Sequence, residues 1–582
     1  MAFAITLYRP FYGGPLDRVN VNHTEVHKSV RFSPNRSSKH SEKKFSRFFD
    51  AHASATPAPG PSSHSHSKRV WNGKHAIVVG AGIGGIFSAA LLAKEGFSVT
   101  VYEKNPGPGG RLGRMVDPSG CRHDVGPSLL LMPHIYREAY EALDEKLEDH
   151  LQLRRVDPAY QVFFGDGTSL KLFSDLGRMK DELEGVEGGS FEGYLRYLAD
   201  AAYNFREGMK HFIRKDFNSI TDYLSDPAQK VPLAFKLKPF KSHHDELGNF
   251  FKDPRLKAAF SFQNMYLGLS PYDASSIFSL LQYTELVEGV WYPIGGGMYK
   301  VTESFVNIAD KLGVKFRYNS SVTNIERASS GDRATGVQLA DGGRASADVV
   351  VINADLPYAY SDLLQDEKKA AEVNALRHTS GVISFYWSVK EDVAASLNQH
   401  NIFLSKDGRT SWRAVFGEPN SNRPPTELDL NDPNFYVHVP ARTDPSSAFM
   451  DAEPMMVLIP VPHIADEGTP DYESQISTAR EAVITRLESS GLADIRSSIE
   501  HETVYTPRTW KSLYNLNKGS AFGLSHPLWQ LGFFRPQNKH PVLQNVYFVG
   551  ASTHPGNGIP LVLLSARFVH ERVVKEIVAA PA

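Results

Sequence analysis

His75-Ala76-Ile77-Val78-Val79-Gly80-Ala81-Gly82-Ile83-Gly84-Gly85 is the stretch on which the fold turns. Its first five residues form a short, mostly apolar run that ends at glycine, the pattern of a buried strand. Gly80, Gly82 and Gly85 then fit the spacing G-x-G-x-x-G. In that arrangement the first glycine makes a tight turn, the second lets a pyrophosphate approach the backbone, and the third lets a helix pack closely on a strand. Gly84 to Glu95 reads as the helix, whose N-terminus offers free N–H groups and a partial positive charge to phosphates. Ser98 to Glu103 reads as a second strand, completing a βαβ unit. Glu103 closes it at about the 20-residue spacing at which an acid meets ribose hydroxyls.

Two flanking segments point to FAD rather than NAD. Directly after Glu103-Lys104-Asn105 comes Gly109-Gly110-Arg111, where glycines allow backbone contact with a cofactor and the arginine can hold a diphosphate. Far along the chain, Tyr547-Phe548-Val549-Gly550-Ala551 reads as a strand. It runs into the loop Ser552-Thr553-His554-Pro555-Gly556-Asn557-Gly558 and a helix from about Ile559 to Val578. A glycine loop and a helix N-terminus returning there suit an isoalloxazine ring, whose pyrimidine edge becomes anionic on reduction.

Composition narrows the function. The 582 residues carry a net charge of -2, which leaves no excess of Lys and Arg to neutralise a nucleic acid. Cys121 is the one cysteine, so no intramolecular disulfide and no thiolate metal cluster is possible; it reads as a small packed residue. No H-E-x-x-H, no G-x-S-x-G and no metal-ligand spacing occurs, so no metal site is expected. No apolar run reaches the ~18 residues of a membrane span. Residues 1–74 form a basic leader in which Lys and Arg outnumber Asp and Glu by twelve to four, and Ala51–Ser67 reads as a disordered linker. Either an organelle transit peptide or an untargeted tail fits that pattern.

Taken together, these segments resemble the bacterial and fungal phytoene desaturases, within the amine-oxidase-like flavoprotein superfamily. The resemblance spans about residues 75 to 578. It includes Arg122-His123-Asp124-Val125-Gly126-Pro127-Ser128, Ala259-Phe260-Ser261-Phe262-Gln263, Ser270-Pro271-Tyr272-Asp273-Ala274, Leu280-Leu281-Gln282-Tyr283-Thr284-Glu285 and Gly289-Val290-Trp291-Tyr292-Pro293-Ile294-Gly295-Gly296. It implies an α/β fold: a Rossmann-like FAD-binding domain built from discontinuous segments, a mixed α+β substrate domain and a helical, membrane-facing lid. The corresponding expectation is FAD-binding segments at 75–135, 291–355 and 541–582, a helical and substrate-binding region at 136–290, and a substrate domain at 356–540. The cofactor positions implied are Gly80, Gly82, Gly84, Gly85, Glu103, Lys104, Gly110, Arg111, Gly126, Pro127, Ser128, Val322, Gly550, Ile559 and Pro560. Leu112, His123, Val125 and Leu564-Ser565-Ala566-Arg567 depart from the family pattern, and Arg567 and the surroundings of Asp124 are expected near the flavin.

The activity implied is FAD-dependent desaturation of phytoene in carotenoid biosynthesis. Such a reaction removes a hydride from one carbon and a proton from the next, so the protein supplies mainly orientation and exclusion of water. Candidate walls of an apolar tunnel are Phe260, Phe262, Met265, Tyr266, Phe278, Tyr283, Trp291 and Tyr292; candidate proton acceptors are Asp222 and His554. An apolar polyene implies peripheral association with an intracellular membrane, with oxygen or a quinone as the terminal electron acceptor. The alternatives are another polyene or isoprenoid of secondary metabolism, oxidation of an amine, polyene saturation or isomerisation, and a non-catalytic prenyl-lipid carrier of the same fold.

Overall fold

The computed structural model describes residues 73–579 apart from 218, 225–232, 234, 235, 420, 466 and 467; the side chains of 222, 224 and 577–579 also lie outside the description. The leader expected at 1–74 therefore falls almost wholly outside the described residues.

A five-stranded parallel sheet organises the cofactor half. Its order is Val546–Phe548, Val349–Ile352, His75–Val79, Ser98–Tyr102, Lys315–Arg317. Three distant stretches of chain thus meet in one sheet. Val349–Ile352 is buried at every position, as a parallel strand covered on both faces requires. Helix Ile83–Lys94 runs along one face beside Tyr299–Lys311 and the C-terminal helix Ile559–Ala579. The first helix begins one residue before the expected Gly84, and Gly82 caps it without a side-chain hydrogen bond. A smaller antiparallel sheet, Val322–Arg327, Ala334–Leu339 and Arg344–Ser346, lies in the chain between Lys315–Arg317 and Val349–Ile352, within the second of these stretches.

The second large layer is a seven-stranded sheet. Its order is Ile499–Tyr505, Gly381–Lys390, Ala452–Val461, Phe435–His438, His400–Phe403, Tyr160–Phe163, Ser169–Leu172. All neighbours are antiparallel except His400–Phe403 beside Tyr160–Phe163. Two of its strands come from the stretch 136–290, in which the sequence pattern pointed to helices. Each is only four residues long, too short for a period-2 pattern to stand out against the surrounding aromatics.

Alternation along the strands gives this sheet two different faces. Ile383, Phe385, Trp387, Met455, Val457 and Ile459 pack with Ala479, Val483, Ile484 and Leu487 of helix Ile476–Ser489. Val382, Tyr436, Met456 and Leu458 point the other way and line a cavity. That cavity also reaches the carboxyl ends of the parallel strands at Val79, Tyr102, Asn353 and Val549, where open α/β sheets bind their ligands. No helix among the described residues is long and apolar enough to cross a membrane.

Candidate active site

The glycine turn is built as its spacing requires. Gly80 sits at φ +99°, and a Cβ there would come within 2.9 Å of the Asn353 carbonyl oxygen. A Cβ on Gly85 would lie 2.1 Å from the Gly80 carbonyl oxygen, so the helix can approach the turn only through a glycine. Gly82 bridges to Gly109, bringing the two glycine segments together, and Gly80, Gly82, Gly84 and Gly110 all line the cavity. The turn therefore leaves a cradle of bare backbone in front of an uncapped helix N-terminus, which matches the diphosphate of a dinucleotide.

Glu103 is buried one residue beyond its strand and spans the turn. Its Oε2 accepts from the Ala81 N–H at 2.7 Å and its Oε1 from the Asn105 N–H at 2.9 Å. The carboxylate is thereby held where a ribose would lie against the glycine turn. Replacing Glu103 with Ala removes these charge-assisted bonds as well as any to the cofactor. We expect flavin affinity to fall by about 1.5–3 kcal/mol, read by titrating the apoprotein with FAD; unchanged affinity would remove Glu103 from the site.

Lys104 lines the same cavity, but its ammonium is committed elsewhere. It donates to the Ser512 carbonyl and to Asn515 Oδ1, both at 2.7 Å. Burial lowers its pKa, with Glu103 opposing the shift. Its visible role is to fasten the end of helix Pro507–Tyr514 to the cofactor half. Arg111 lies in the turn Gly110–Leu112, and its Nη1 donates to the Ala521 carbonyl at 3.0 Å. Desolvation lowers its pKa while Asp355 and Tyr514 raise it. Asp355 in turn accepts from Ser552 Oγ at 3.0 Å and the Asn517 N–H at 3.3 Å, and its pKa is raised by burial against the pull of Arg111.

Gly126, Pro127, Ser128, Val322, Gly550, Ile559 and Pro560 line the cavity with the first glycines. The cavity, of about 510 Å³, thus gathers residues from all three contributions to the parallel sheet. Ser128 Oγ lies 2.7 Å from the Tyr436 hydroxyl, tying the segment after Arg122–Asp124 to the seven-stranded sheet. Asn353, Asp355, Ser552 and Tyr436 were not singled out from sequence. Asn353 and Asp355 had a readable signal, since they follow the apolar run Val349–Ile352 at the carboxyl end of a parallel strand.

Beyond the glycine end the walls become apolar. Of the eight aromatic and methionine candidates, Phe262, Met265, Tyr266 and Phe278 line the cavity, joined by Leu281, Ile402 and Leu404. The other four do not. Phe260 stacks on Phe251 in the core, Tyr283 packs on Phe205, Trp291 donates to the Glu288 carbonyl, and the Tyr292 hydroxyl donates to Asp124 at 2.8 Å. At 136–290 the aromatic pattern mixed core with cavity wall.

His554 is not among the cavity-lining residues, although its neighbours Thr553 and Pro555 are. Its Nε2 is bonded to the Lys215 carbonyl oxygen at 2.6 Å and its ring stacks on Phe568. Burial pushes its pKa down to about 4. The ring therefore secures the back of the loop, which corrects the expectation of a base at the substrate. Asp222 belongs to the short helix Ile220–Leu224, but its side chain lies outside the described residues.

The departures from the family pattern separate in the same way. Leu112 and Val125 line the cavity. His123 is buried against Asp117, 3.1 Å away. Arg567 stands half-exposed on the C-terminal helix, paired with Glu571 at 3.0 Å and Glu138 at 3.7 Å, so the expectation that it lies near the flavin is corrected. Asp124 accepts from the Met298 and Tyr299 N–H groups and anchors the start of helix Tyr299–Lys311, with burial raising its pKa to about 6. Cys121 is buried, its thiol 3.6 Å from the Ala452 carbonyl oxygen. No group of His, Cys, Asp and Glu among the described residues could hold a metal ion.

Comparison with known proteins agrees with this geometry. Residues 83–574 match the family described as flavin containing amine oxidoreductase. The chain is 40% identical over 516 residues to the phytoene desaturase of Neurospora crassa, covering 86% of this chain and 85% of that protein. It is 39% identical over 505 residues to the zeta-carotene-forming phytoene desaturase of Myxococcus xanthus, covering 86% and 94%. Among solved structures, an oxidoreductase from Methanosarcina mazei aligns with a TM-score of 0.55 at 17% identity, covering 85% of this chain and all of that one. A redesigned putrescine oxidase aligns at 0.57 and 15% identity, covering 87% and 99%. At these identities the structures share the fold alone. The bare-backbone cradle, the acid across it and the extended sequence identity have one common explanation: this chain belongs to the flavin-containing amine oxidoreductase family, as an FAD-dependent oxidoreductase of the phytoene-desaturase type.

Proposed function

We propose that the chain desaturates phytoene, extending its conjugated system one double bond at a time. The carrying observation is that a single cavity joins the glycine cradle, Glu103 and Arg111 to walls of Phe262, Met265, Phe278, Leu281, Ile402 and Leu404. When bound, FAD supplies the acceptor for the hydride. Gly80, Gly82, Gly84, Gly110 and Arg111 hold its diphosphate, with Gly85 closing the helix onto the turn behind them; Glu103 holds the ribose, and Val322 the adenine. Gly126, Pro127, Ser128, Gly550, Ile559 and Pro560 hold the ring end.

A hydrocarbon offers no polar group to grip, so its orientation must come from shape and from burial, at about 25 cal/mol per Å² of apolar surface. The apolar walls do that work here and keep water from the developing positive charge. Phytoene is also effectively insoluble in water, so the enzyme draws it from a bilayer. We assign a peripheral association with an intracellular membrane, through a helical lid over the cavity mouth. The exposed Ile220, Trp529 and Phe534 support it: Phe534 packs on Tyr223, which also lies against Gly532, the residue after cavity-lining Leu531. Electrons leave to oxygen or a quinone.

The test uses liposomes loaded with phytoene, the FAD-loaded protein and a quinone. They should turn yellow to red as conjugation lengthens, the protein should float with the vesicles, and anaerobic mixing should bleach the flavin. A flavin that phytoene neither bleaches nor is changed by would end the assignment. The second reading, another polyene of secondary metabolism, is favoured by Leu112 and Val125, the two departures that reach the cavity.

A further inference from the structure

We propose that the chain Tyr266–Tyr160–Glu285, which leads from the cavity wall into the core, removes the proton that desaturation releases, with Tyr266 as the catalytic residue and Tyr160 and Glu285 as positioning residues behind it. The inference rests on the desaturase reading above. It explains a polar network that the apolar cavity otherwise has no use for.

Tyr266 lies in the turn Phe262–Leu267 and lines the cavity. Its carbonyl accepts from Asn557 Nδ2 at 2.6 Å, which ties it to the loop that opens the C-terminal helix. Its phenol neighbours that of Tyr160, and each affects the ionisation of the other. Tyr160, fully buried in the seven-stranded sheet, donates to Glu285 Oε1 at 2.9 Å. Gln263 Nε2 donates to the other oxygen at 2.9 Å, and Gln282 Nε2 supports Gln263 Oε1 at 2.8 Å. Both Glu285 oxygens thus act as acceptors, the pattern of an ionised carboxylate.

Glu285 is fully buried, and the effects on its ionisation are burial and two hydrogen bonds from neutral groups. A carboxylate without a cation is a costly way to stabilise a fold; a glutamine would satisfy Gln263 and Tyr160 without a charge. Burial raises its pKa to about 8. The ionisable groups around it are Tyr160, Tyr266 and Tyr197. The His400 ring lies 5.8 Å from that of Tyr160, with its pKa pushed down to about 3 by burial, so it is neutral.

The step balances as follows. One carbon of the polyene gives up a hydride, with both electrons, to the cofactor. On the adjacent carbon a C–H bond breaks and its electron pair becomes the new π bond. That proton passes to the Tyr266 oxygen as the Tyr266 proton moves to Tyr160 and the Tyr160 proton to Glu285. Glu285 ends as the neutral acid and, once the product has left, returns its proton through Tyr160 and Tyr266 to water in the cavity. The working form is the carboxylate, so conversion should rise with pH through the Glu285 pKa and level off above it.

The experiment compares the FAD-loaded wild-type chain with Tyr266→Phe, Tyr160→Phe and Glu285→Gln. Anaerobic flavin reduction by phytoene in liposomes is followed from about pH 6 to about pH 10, with infrared titration of the buried carboxyl group in parallel. Wild type should show a rising limb near pH 8. Tyr266→Phe and Glu285→Gln should be about a hundredfold slower and without that limb, with flavin content and unfolding temperature unchanged. The infrared band should vanish in Glu285→Gln and shift in Tyr160→Phe. Wild-type rates in the variants, or slow variants that keep the limb, would overturn the relay. If wild type leaves phytoene unchanged, the desaturase reading fails, and the infrared titration still decides the network: no carboxyl group titrating near pH 8 would remove Glu285 from it. Should Glu285→Gln not fold, Tyr160→Phe breaks the same chain and leaves the Gln263–Glu285 bond in place.

Discussion

Gly82→Asp should yield a folded protein that purifies without flavin colour. Gly82 caps the first helix, bridges to Gly109 and lines the cavity. A Cβ there would already come within 2.9 Å of Asn353 Nδ2. That contact is with a side-chain amide, so the fold can adjust. The cofactor site cannot, because the new carboxylate would occupy the backbone approach and stand against an anionic diphosphate. Like charges brought together in a buried site cost several kcal/mol, so affinity should fall by roughly a hundredfold to a thousandfold. The absorption spectrum of the purified variant reads flavin occupancy, and circular dichroism reads the fold. Full occupancy would mean that the diphosphate does not lie on this turn. Gly82→Ala adds the Cβ without the charge and should lose much less.

The parts legible in sequence are those whose chemistry is local. Gly80, Gly82, Gly85 and Glu103 lie within one βαβ unit, and their spacing carries the geometry with it. The C-terminal strand, loop and helix were legible because each is marked locally, by an apolar run, by glycines and by a helix start. The remainder depends on pairs far apart in the chain. Tyr160 and Glu285 are separated by 125 residues and Ser128 and Tyr436 by 308, so no window of sequence contains either pair. The strands Tyr160–Phe163 and Ser169–Leu172 owe their place to partners, not to any strong pattern of their own.

His554 shows a different limit. Its position in the loop was inferred correctly, but the direction of its ring is decided by Lys215 and Phe568, neither of which the local sequence reveals. Arg567 is similar: four residues before Glu571 on a helix, it turns outward to that partner. Along an aromatic-rich stretch, hydrophobicity likewise cannot tell a core residue from a cavity wall, since both are buried. Phe260 and Phe262 are two residues apart, and only Phe262 reaches the cavity.

Arg535→Met should cost both stability and flavin, although Arg535 is outside the cavity lining. Arg535 is 1% exposed, and its guanidinium gathers two loops. It donates to the carbonyls of Leu524, Ser525 and Thr553, each at 3.0 Å, and to that of Ala551 at 2.7 Å. Desolvation lowers its pKa to about 9, which still leaves it cationic at neutral pH. Removing a buried charge gives back its desolvation penalty, and a methionine fills much of the space, so the loss is less than a simple sum of bonds. Against that, four buried carbonyls lose a charged donor, at about 1–3 kcal/mol for each one left unsatisfied. Even a partial sum is a large share of the ~5–15 kcal/mol that holds a protein together. The site should fail first, because Ala551, Ser552 and Thr553 all line the cavity next to Gly550. Arg535→Lys keeps the charge but concentrates three donors at one point, so it should hold fewer of the four carbonyls and lie between. Flavin content and the unfolding midpoint, measured on the same preparations, should fall in the order wild type, lysine, methionine. A methionine variant with wild-type colour and midpoint would mean that the loop from Gly550 holds its shape without this clamp.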